Sequence, residues 1–157
     1  MPSTQPVRRY SVRRSPIHGR GVFATRTIRK GSTIIEYRGK RLEPDEVDWD
    51  PHQDPQNPYH TFLFETADGT TIDASIRGNA ARWINHSCAP NCVTYEDDDG
   101  RVFIEAKRKI SAGEELTYDY RLNYEGRVTK RVLDAYTCRC GAPRCRGSLL
   151  LKYRKRR

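Results

Sequence analysis

Three cysteines stand close together near the C-terminus, in Cys138-Arg139-Cys140-Gly141-Ala142-Pro143-Arg144-Cys145, and two more, Cys88 and Cys92, lie upstream. The N-terminal residues lack the apolar stretch of about 7–15 residues that marks a secretion signal, so reduced thiols are expected. Clustered thiols in a reducing compartment point to zinc before disulfides. A structural Zn²⁺ takes four ligands in a tetrahedron, which three clustered thiolates cannot close alone. Gly19 and Gly21 flank Arg20, where the missing Cβ atoms let backbone approach a ligand; taken alone, the same residues make a tight turn. Neither a P-loop nor the longer dinucleotide fingerprint accompanies them, so they mark no nucleotide-phosphate site. Asn85 and His86 follow the apolar pair Trp83-Ile84. An Asn side chain donates and accepts at once, which suits an adenine edge or a crossing backbone; the alternative is that both residues satisfy buried loop groups. Tyr118 and Tyr120, in Leu116-Thr117-Tyr118-Asp119-Tyr120, add two hydroxyls, and singly each reads as a packed strand tyrosine.

The elements that must hold these residues are short. Residues 22–24 and 33–37 read as strands separated by the Lys30-Gly31 turn. Residues 60–65 and 70–74 flank Asp68-Gly69, a strong hairpin signal, and residues 93–95 and 101–106 flank Asp99-Gly100 in a second hairpin. Residues 116–120 read as one more strand. Residues 43–49, with Pro44 at the start, and residues 78–84 suit helical turns. Residues 52–58 are rich in Pro, Asn and Gln and read as a surface loop. With no internal repeat and no long amphipathic helix, the predicted class is mostly β, a β-rich α+β fold.

At 157 residues the chain suits one domain with a real core. Mean hydropathy is −0.87, a very polar value, but 9 Tyr, 4 Phe and 2 Trp argue against disorder. The longest aliphatic run is Leu149-Leu150-Leu151, far short of the roughly 18 apolar residues of a membrane span, so no membrane partner is expected. The net charge of +9 is unevenly placed. Residues 1–30 hold eight Lys/Arg and no acid; residues 127–157 hold eleven against Asp134 alone; residues 31–126 hold ten against nineteen acids. Basic ends around an acidic centre suit two electrostatic tasks: anionic surfaces such as DNA phosphates at the ends, a cationic substrate in the middle. Solvated faces are the alternative.

Four ordered segments are specific together: His18-Gly19-Arg20-Gly21-Val22-Phe23, residues 78–88 (Gly-Asn-Ala-Ala-Arg-Trp-Ile-Asn-His-Ser-Cys), Gly113-Glu114-Glu115-Leu116-Thr117-Tyr118-Asp119-Tyr120, and the Cys138–Cys145 cluster. In this order the chain resembles the SET-domain protein lysine methyltransferases with a post-SET zinc segment, nearest their trithorax-like branch and its small stand-alone relatives. The resemblance covers about residues 15–151. It implies a SET fold of short sheets with a C-terminal pseudoknot and a zinc-stapled tail. The implied divisions are a basic extension over 1–14, the SET domain over 15–122, a connecting segment over 123–137, the post-SET segment over 138–151 and a basic tail over 152–157.

By residue-by-residue match, S-adenosylmethionine would be contacted by His18, Gly19, Arg20, Gly21, His60, Asn85, His86, Arg139 and Leu149. Zinc would be held by Cys88, Cys138, Cys140 and Cys145, which leaves Cys92 as a buried free thiol. Tyr120 becomes the main catalytic tyrosine, and Tyr118 helps set how many methyl groups are added. One departure stands out. The family's Tyr-x-Phe reads His60-Thr61-Phe62 here, with Tyr59 one residue away. The implied reaction needs a neutral amine, and at a reference pKa of about 10.4 only about one lysine in 2,500 is neutral at pH 7. An apolar channel and a neighbouring sulfonium lower that pKa, so the proton can leave to water without a dedicated base. What remains is alignment. The expected activity is methyl transfer from S-adenosylmethionine to lysine, mainly mono- and di-methylation, in a Lys/Arg-rich protein such as a histone. The acids between Glu43 and Asp54, together with Glu96 to Asp99, would favour such a substrate. The alternative is an inactive, zinc-stapled module that binds chromatin or nucleic acid. An intracellular location is expected: the nucleus in a eukaryote; the cytoplasm, nucleoid or a host cell for a bacterial protein.

Overall fold

The computed structural model describes residues 8–47, 62–124 and 126–151. His60 and Tyr59, the acids Asp48, Asp50 and Asp54, and the tail 152–157 lie outside the described residues.

Among the described residues, ten short strands form four small sheets. Strand β1 (Tyr10–Arg14) pairs antiparallel with β2 (Arg20–Ala24). Strand β3 (Thr33–Tyr37) joins the hairpin of β8 (Cys92–Glu96) and β9 (Val102–Ala106), with β9 in the centre. Strand β4 (Lys40–Leu42) and β5 (Leu63–Glu65) flank β6 (Thr71–Asp73). The last pair joins distant parts of the chain in parallel: β7 (Asn85–His86) lies against β10 (Thr117–Tyr118), with Asn85 opposite Thr117 and His86 opposite Tyr118. Short 3₁₀ turns span Pro44–Glu46 and Ala80–Trp83, and one helix, α1, covers Lys130–Ala135. The fold is mostly β.

Both hairpin turns form where the sequence places them, for a local reason. The Asp68 carboxylate accepts from the Thr70 N–H (2.9 Å) and the Thr66 hydroxyl (2.6 Å), and Gly69 takes the left-handed conformation that closes the turn. Asp97 does the same for the second hairpin, accepting from the Asp99 and Arg101 N–H groups beside left-handed Gly100. Strand β9 alternates strictly, turning Val102, Ile104 and Ala106 inward. They meet Val22, Ile28, Ile84, Ile110 and Leu116 in one core.

Strands β4 and β7 were not expected from the sequence, and three further elements differ from it. Residues 10–14, read as a basic extension, are an outer strand whose side chains carry no apolar alternation. Pairing with β2 and the Arg13 guanidinium lying 3.9 Å from the centre of the Phe23 ring fasten it. The connecting segment contains α1, only six residues long and too short to show a 3.6-residue period; Thr129 caps it by accepting from the Val132 N–H. The expected strand over 116–120 stops at Tyr118, because the Tyr120 N–H leaves the ladder for a side chain, His86 Nδ1 (2.9 Å), and Arg121 turns left-handed. Among the described residues, no helix is long and apolar enough to cross a membrane.

Candidate active site

The parallel pair β7–β10 brings Asn85, His86, Tyr118 and Tyr120 to one place. Asn85 is buried and its Nδ2 donates to the His18 carbonyl (3.1 Å), the Arg20 carbonyl (2.9 Å) and Glu115 Oε1 (2.9 Å). One amide therefore ties down both sides of the Gly19–Gly21 loop. Glu115 completes the tie: the Ser15 hydroxyl donates to the same oxygen at 2.7 Å, and a side chain at Gly21 would overlap that carboxylate. These bonds to the His18 and Arg20 carbonyls are the backbone contacts that the sequence allowed for Asn85. The sequence assigns Glu115 no role of its own, because one acid among nineteen in residues 31–126 carries no spacing signal.

His86 is held by both ring nitrogens. Its Nδ1 accepts from the Tyr120 N–H, so the proton resides on Nε2, which faces Cys88 Sγ at 3.4 Å. Burial, helped by Arg146 and opposed by Asp119, lowers the His86 pKa to about 4, so the imidazole is neutral at pH 7. Asp119 Oδ1 is 3.6 Å from Nδ1 but forms no ion pair with a neutral ring. Its true partner is Arg146, whose Nη1 and Nη2 donate to Oδ2 and Oδ1 at 2.7 and 2.9 Å. Burial alone would raise the Asp119 carboxyl; the Arg146 fork together with the Arg121 N–H, which donates to Oδ1 at 3.0 Å, outweighs it and holds the group below its usual value.

The two tyrosines pack with ring centres 4.9 Å apart. The Tyr120 hydroxyl donates to the Ile84 carbonyl at 2.6 Å, which leaves the oxygen's lone pairs as acceptors. Burial keeps both phenols protonated by raising their pKa values. Tyr120 borders two cavities. One, of about 100 Å³, is lined by His18, Asn85, His86, Arg139 and Leu149, with Ile17, Asp134, Ala135 and Thr137. The other, of about 410 Å³, is lined by Tyr37, Phe64, Tyr118, Arg82, Glu65 and Glu96 among others. Five residues expected around a cofactor thus share one cavity, while Gly19, Arg20 and Gly21 form the loop that Asn85 fastens at its edge. Arg20 itself is exposed, its guanidinium 5.3 Å from the centre of the Trp83 ring. Burial, and then the nearby charge of Arg139, lower the His18 pKa.

Behind this cavity the Sγ atoms of Cys88, Cys138, Cys140 and Cys145 all lie within 4.8 Å of one another, with Cys88 at 3.8 and 3.9 Å from Cys138 and Cys145. Sulfurs at about 2.3 Å around a tetrahedral zinc would be about 3.8 Å apart. Burial pushes the Cys88 and Cys138 thiols up; at Cys140 it is outweighed by hydrogen bonds from the Cys88 and Ala142 amides, which bring that thiol to about 6. Four sulfurs at this spacing are the donor set of a tetrahedral zinc, which would bind them as thiolates. Cys92 stands apart, buried, its thiol pushed up to about 12 by desolvation.

Residues 19–121 match the SET domain family. The chain belongs to it. Among SET-domain relatives, it is 39% identical over 136 residues to the histone-lysine N-methyltransferase trithorax of Drosophila virilis, covering 85% of this chain and 3% of that protein. Identity is 41% over 138 residues with histone-lysine N-methyltransferase 2B of Homo sapiens, covering 86% and 5%, and 38% over 139 residues with a histone-lysine N-methyltransferase, H3 lysine-4 specific, of Schizosaccharomyces pombe, covering 86% and 14%. The chain spans only a small part of the length of these relatives.

Metal analysis is expected to find one Zn²⁺ per chain, lost in Cys88→Ser and retained in Cys92→Ser. Breaking the Arg146–Asp119 fork by Arg146→Met is expected to destabilise the protein by about 1.5–3 kcal/mol in urea unfolding, because a half-buried carboxylate loses a two-point charged partner. The paired exchange Arg146→Asp with Asp119→Arg should recover part of that loss.

Proposed function

We propose that this chain transfers a methyl group from S-adenosylmethionine to the side-chain amine of lysine in a basic protein such as a histone, adding mainly one or two methyls. The observation that carries the reading is Tyr120, a wall shared by two cavities: one bounded by the expected cofactor residues, the other by aromatic rings with exposed acids. Membership of the SET family and the names of the relatives agree with it.

S-adenosylmethionine, when bound, supplies a methyl group carried on a positive sulfur. His18, Asn85, His86, Arg139 and Leu149 would hold it, with the loop 19–21 closing the edge and the zinc-held tail supplying Arg139 and Leu149. Tyr37, Phe64 and Tyr118 would strip water from the incoming lysine stem. The Tyr120 hydroxyl is committed to Ile84, so its oxygen accepts from the amine and fixes the line of attack. A phenol held protonated by burial is no general base; the lysine proton leaves to water. Glu65 and Glu96, both exposed, would meet basic residues beside the target. The basic ends add non-specific contact with DNA phosphate, and a histone substrate would place the protein in a nucleus.

Incubation with S-adenosylmethionine and histones, followed by mass spectrometry, tests the reading; no methyl-lysine on any basic protein would refute it. Tyr120→Phe is expected to lower turnover more than tenfold with cofactor affinity nearly unchanged by calorimetry. Tyr118→Phe is expected to shift the product toward higher methylation. The Tyr118 hydroxyl can hold a water beside the amine, in space a methylated nitrogen needs to return to line. Predominant tri-methylation by the unmodified protein would overturn that account.

A further inference from the structure

Arg82 is not used in the reading above, yet it lines the 410 Å³ cavity together with Tyr37, Tyr118 and Tyr120. It belongs to the 3₁₀ turn Ala80–Trp83, and its guanidinium is wedged 4.8 Å from the centre of the Trp83 ring and 5.8 Å from that of Phe62. Nη1 donates to the Ala74 carbonyl at 3.4 Å, while Nε is buried with no hydrogen-bond partner. No described carboxylate lies within 4 Å of it, although six other side-chain pairs reach that distance. A guanidinium keeps its charge at every physiological pH, and an unpaired, half-buried charge costs folding free energy. A residue that opposes folding while facing a cavity points to a use in that cavity.

We propose that Arg82 lowers the proton affinity of the target lysine, so that the amine sheds its ammonium proton to water once it is inside. The inference rests on the methyl-transfer reading. The charges around the cavity are graded by depth. Glu65 of β5 and Glu96 of β8 are exposed, and Glu96 also accepts from the Ala67 N–H, so these acids attract a lysine ammonium at the mouth. Farther in, Asp119 is neutralised by Arg146, Tyr37, Tyr118 and Tyr120 are uncharged phenols, and His86 behind Tyr120 is a neutral imidazole. Two carboxylates act in the opposite sense to Arg82: Asp73 of β6 on the Tyr37 phenol and Glu115 on that of Tyr120, the first bonded to the Ser75 N–H and hydroxyl and the second to Asn85 and Ser15. Arg121 is exposed. Among the described residues that line the cavity, the cations are Arg82, half-buried, and Arg121, exposed, so the charge of Arg82 is the less screened of the two. The acids therefore favour entry of the charged lysine, and Arg82 favours loss of its proton on arrival. Each pKa unit of depression multiplies the neutral, nucleophilic fraction about tenfold.

The test is the pH dependence of kcat at saturating histone peptide and S-adenosylmethionine, which reports ionisation in the bound complex. In the unmodified protein the acid limb should lie well below the free-lysine value of about 10.4. In Arg82→Met the limb should move up by about one pH unit, giving about tenfold lower kcat at neutral pH and recovery at alkaline pH. Arg82→Lys, which keeps the charge, should keep the original limb. A peptide carrying S-aminoethylcysteine, whose amine is more acidic, should restore much of the Arg82→Met rate at neutral pH. A loss of rate equal at every pH, with the limb unmoved, overturns the proposal and leaves the methyl-transfer reading standing. So does a limb at the free-lysine value in the unmodified protein, a measurement that holds even if Arg82→Met and Arg82→Gln fail to fold. Absence of any methyl-lysine product from the unmodified protein overturns both.

Discussion

Two residues of β7 lying parallel to two residues of β10 are the constraint on which the site depends. Parallel pairing between segments about thirty residues apart requires a long connection, and here that connection is the β8–β9 hairpin and the turn after it. The loop-closure entropy of that crossing is offset by burial of Ile84 and Leu116 and by side chains that take over where the ladder ends. His86 Nδ1 captures the Tyr120 N–H, and Tyr120 returns its hydroxyl to the Ile84 carbonyl. Each strand thus fixes the other's functional residue, and neither would hold its geometry alone.

A crossing also buries polar groups that must find partners. Asn85 and Asn91 serve this need in the same way. Asn85 bridges the 18–20 loop to Glu115, while Asn91 donates to the Glu115 carbonyl at 2.8 Å and accepts from the Thr117 N–H at 2.9 Å. Both ends of residues 115–117 are therefore stitched to neighbouring loops by amide side chains. Aliphatic residues could fill the volume, but they would leave those carbonyls and amides unpaired at about 1–3 kcal/mol each.

The four-cysteine cluster extends the same crossing. Cys88 leaves β7 and meets the three C-terminal thiols, and Arg146, beside Cys145, reaches Asp119 between the two tyrosines. Thiol cluster, ion pair and aromatic pair form one connected unit, so order at the thiols is transmitted to the wall between the cavities. Arg82 and Arg146 each bury an Nε without a hydrogen-bond partner, but Arg146 has the Asp119 carboxylate while Arg82 has no described carboxylate within 4 Å.

Much of this was legible in the residues themselves. The Asp68-Gly69 and Asp99-Gly100 hairpins, the thiol spacing, and the ordered Gly-x-Gly, Asn-His-Ser-Cys and Tyr-Asp-Tyr segments are local patterns whose chemistry shows in the chain. The outer strand β1 and the six-residue helix were not legible because each is too short and polar to show a period, and the end of β10 at Tyr118 was not because His86, far along the chain, sets it. The same holds for Glu115, Asn91, Arg146 and Arg82. Acids, amides and arginines are common in so polar a sequence, and only tertiary structure decides which one meets a buried carbonyl, a carboxylate or an aromatic wall. Residue types determined which chemistry was available; the parallel crossing decided where it could happen, since contact between residues 85–86 and 117–120 depends on long-range closure that no local spacing encodes.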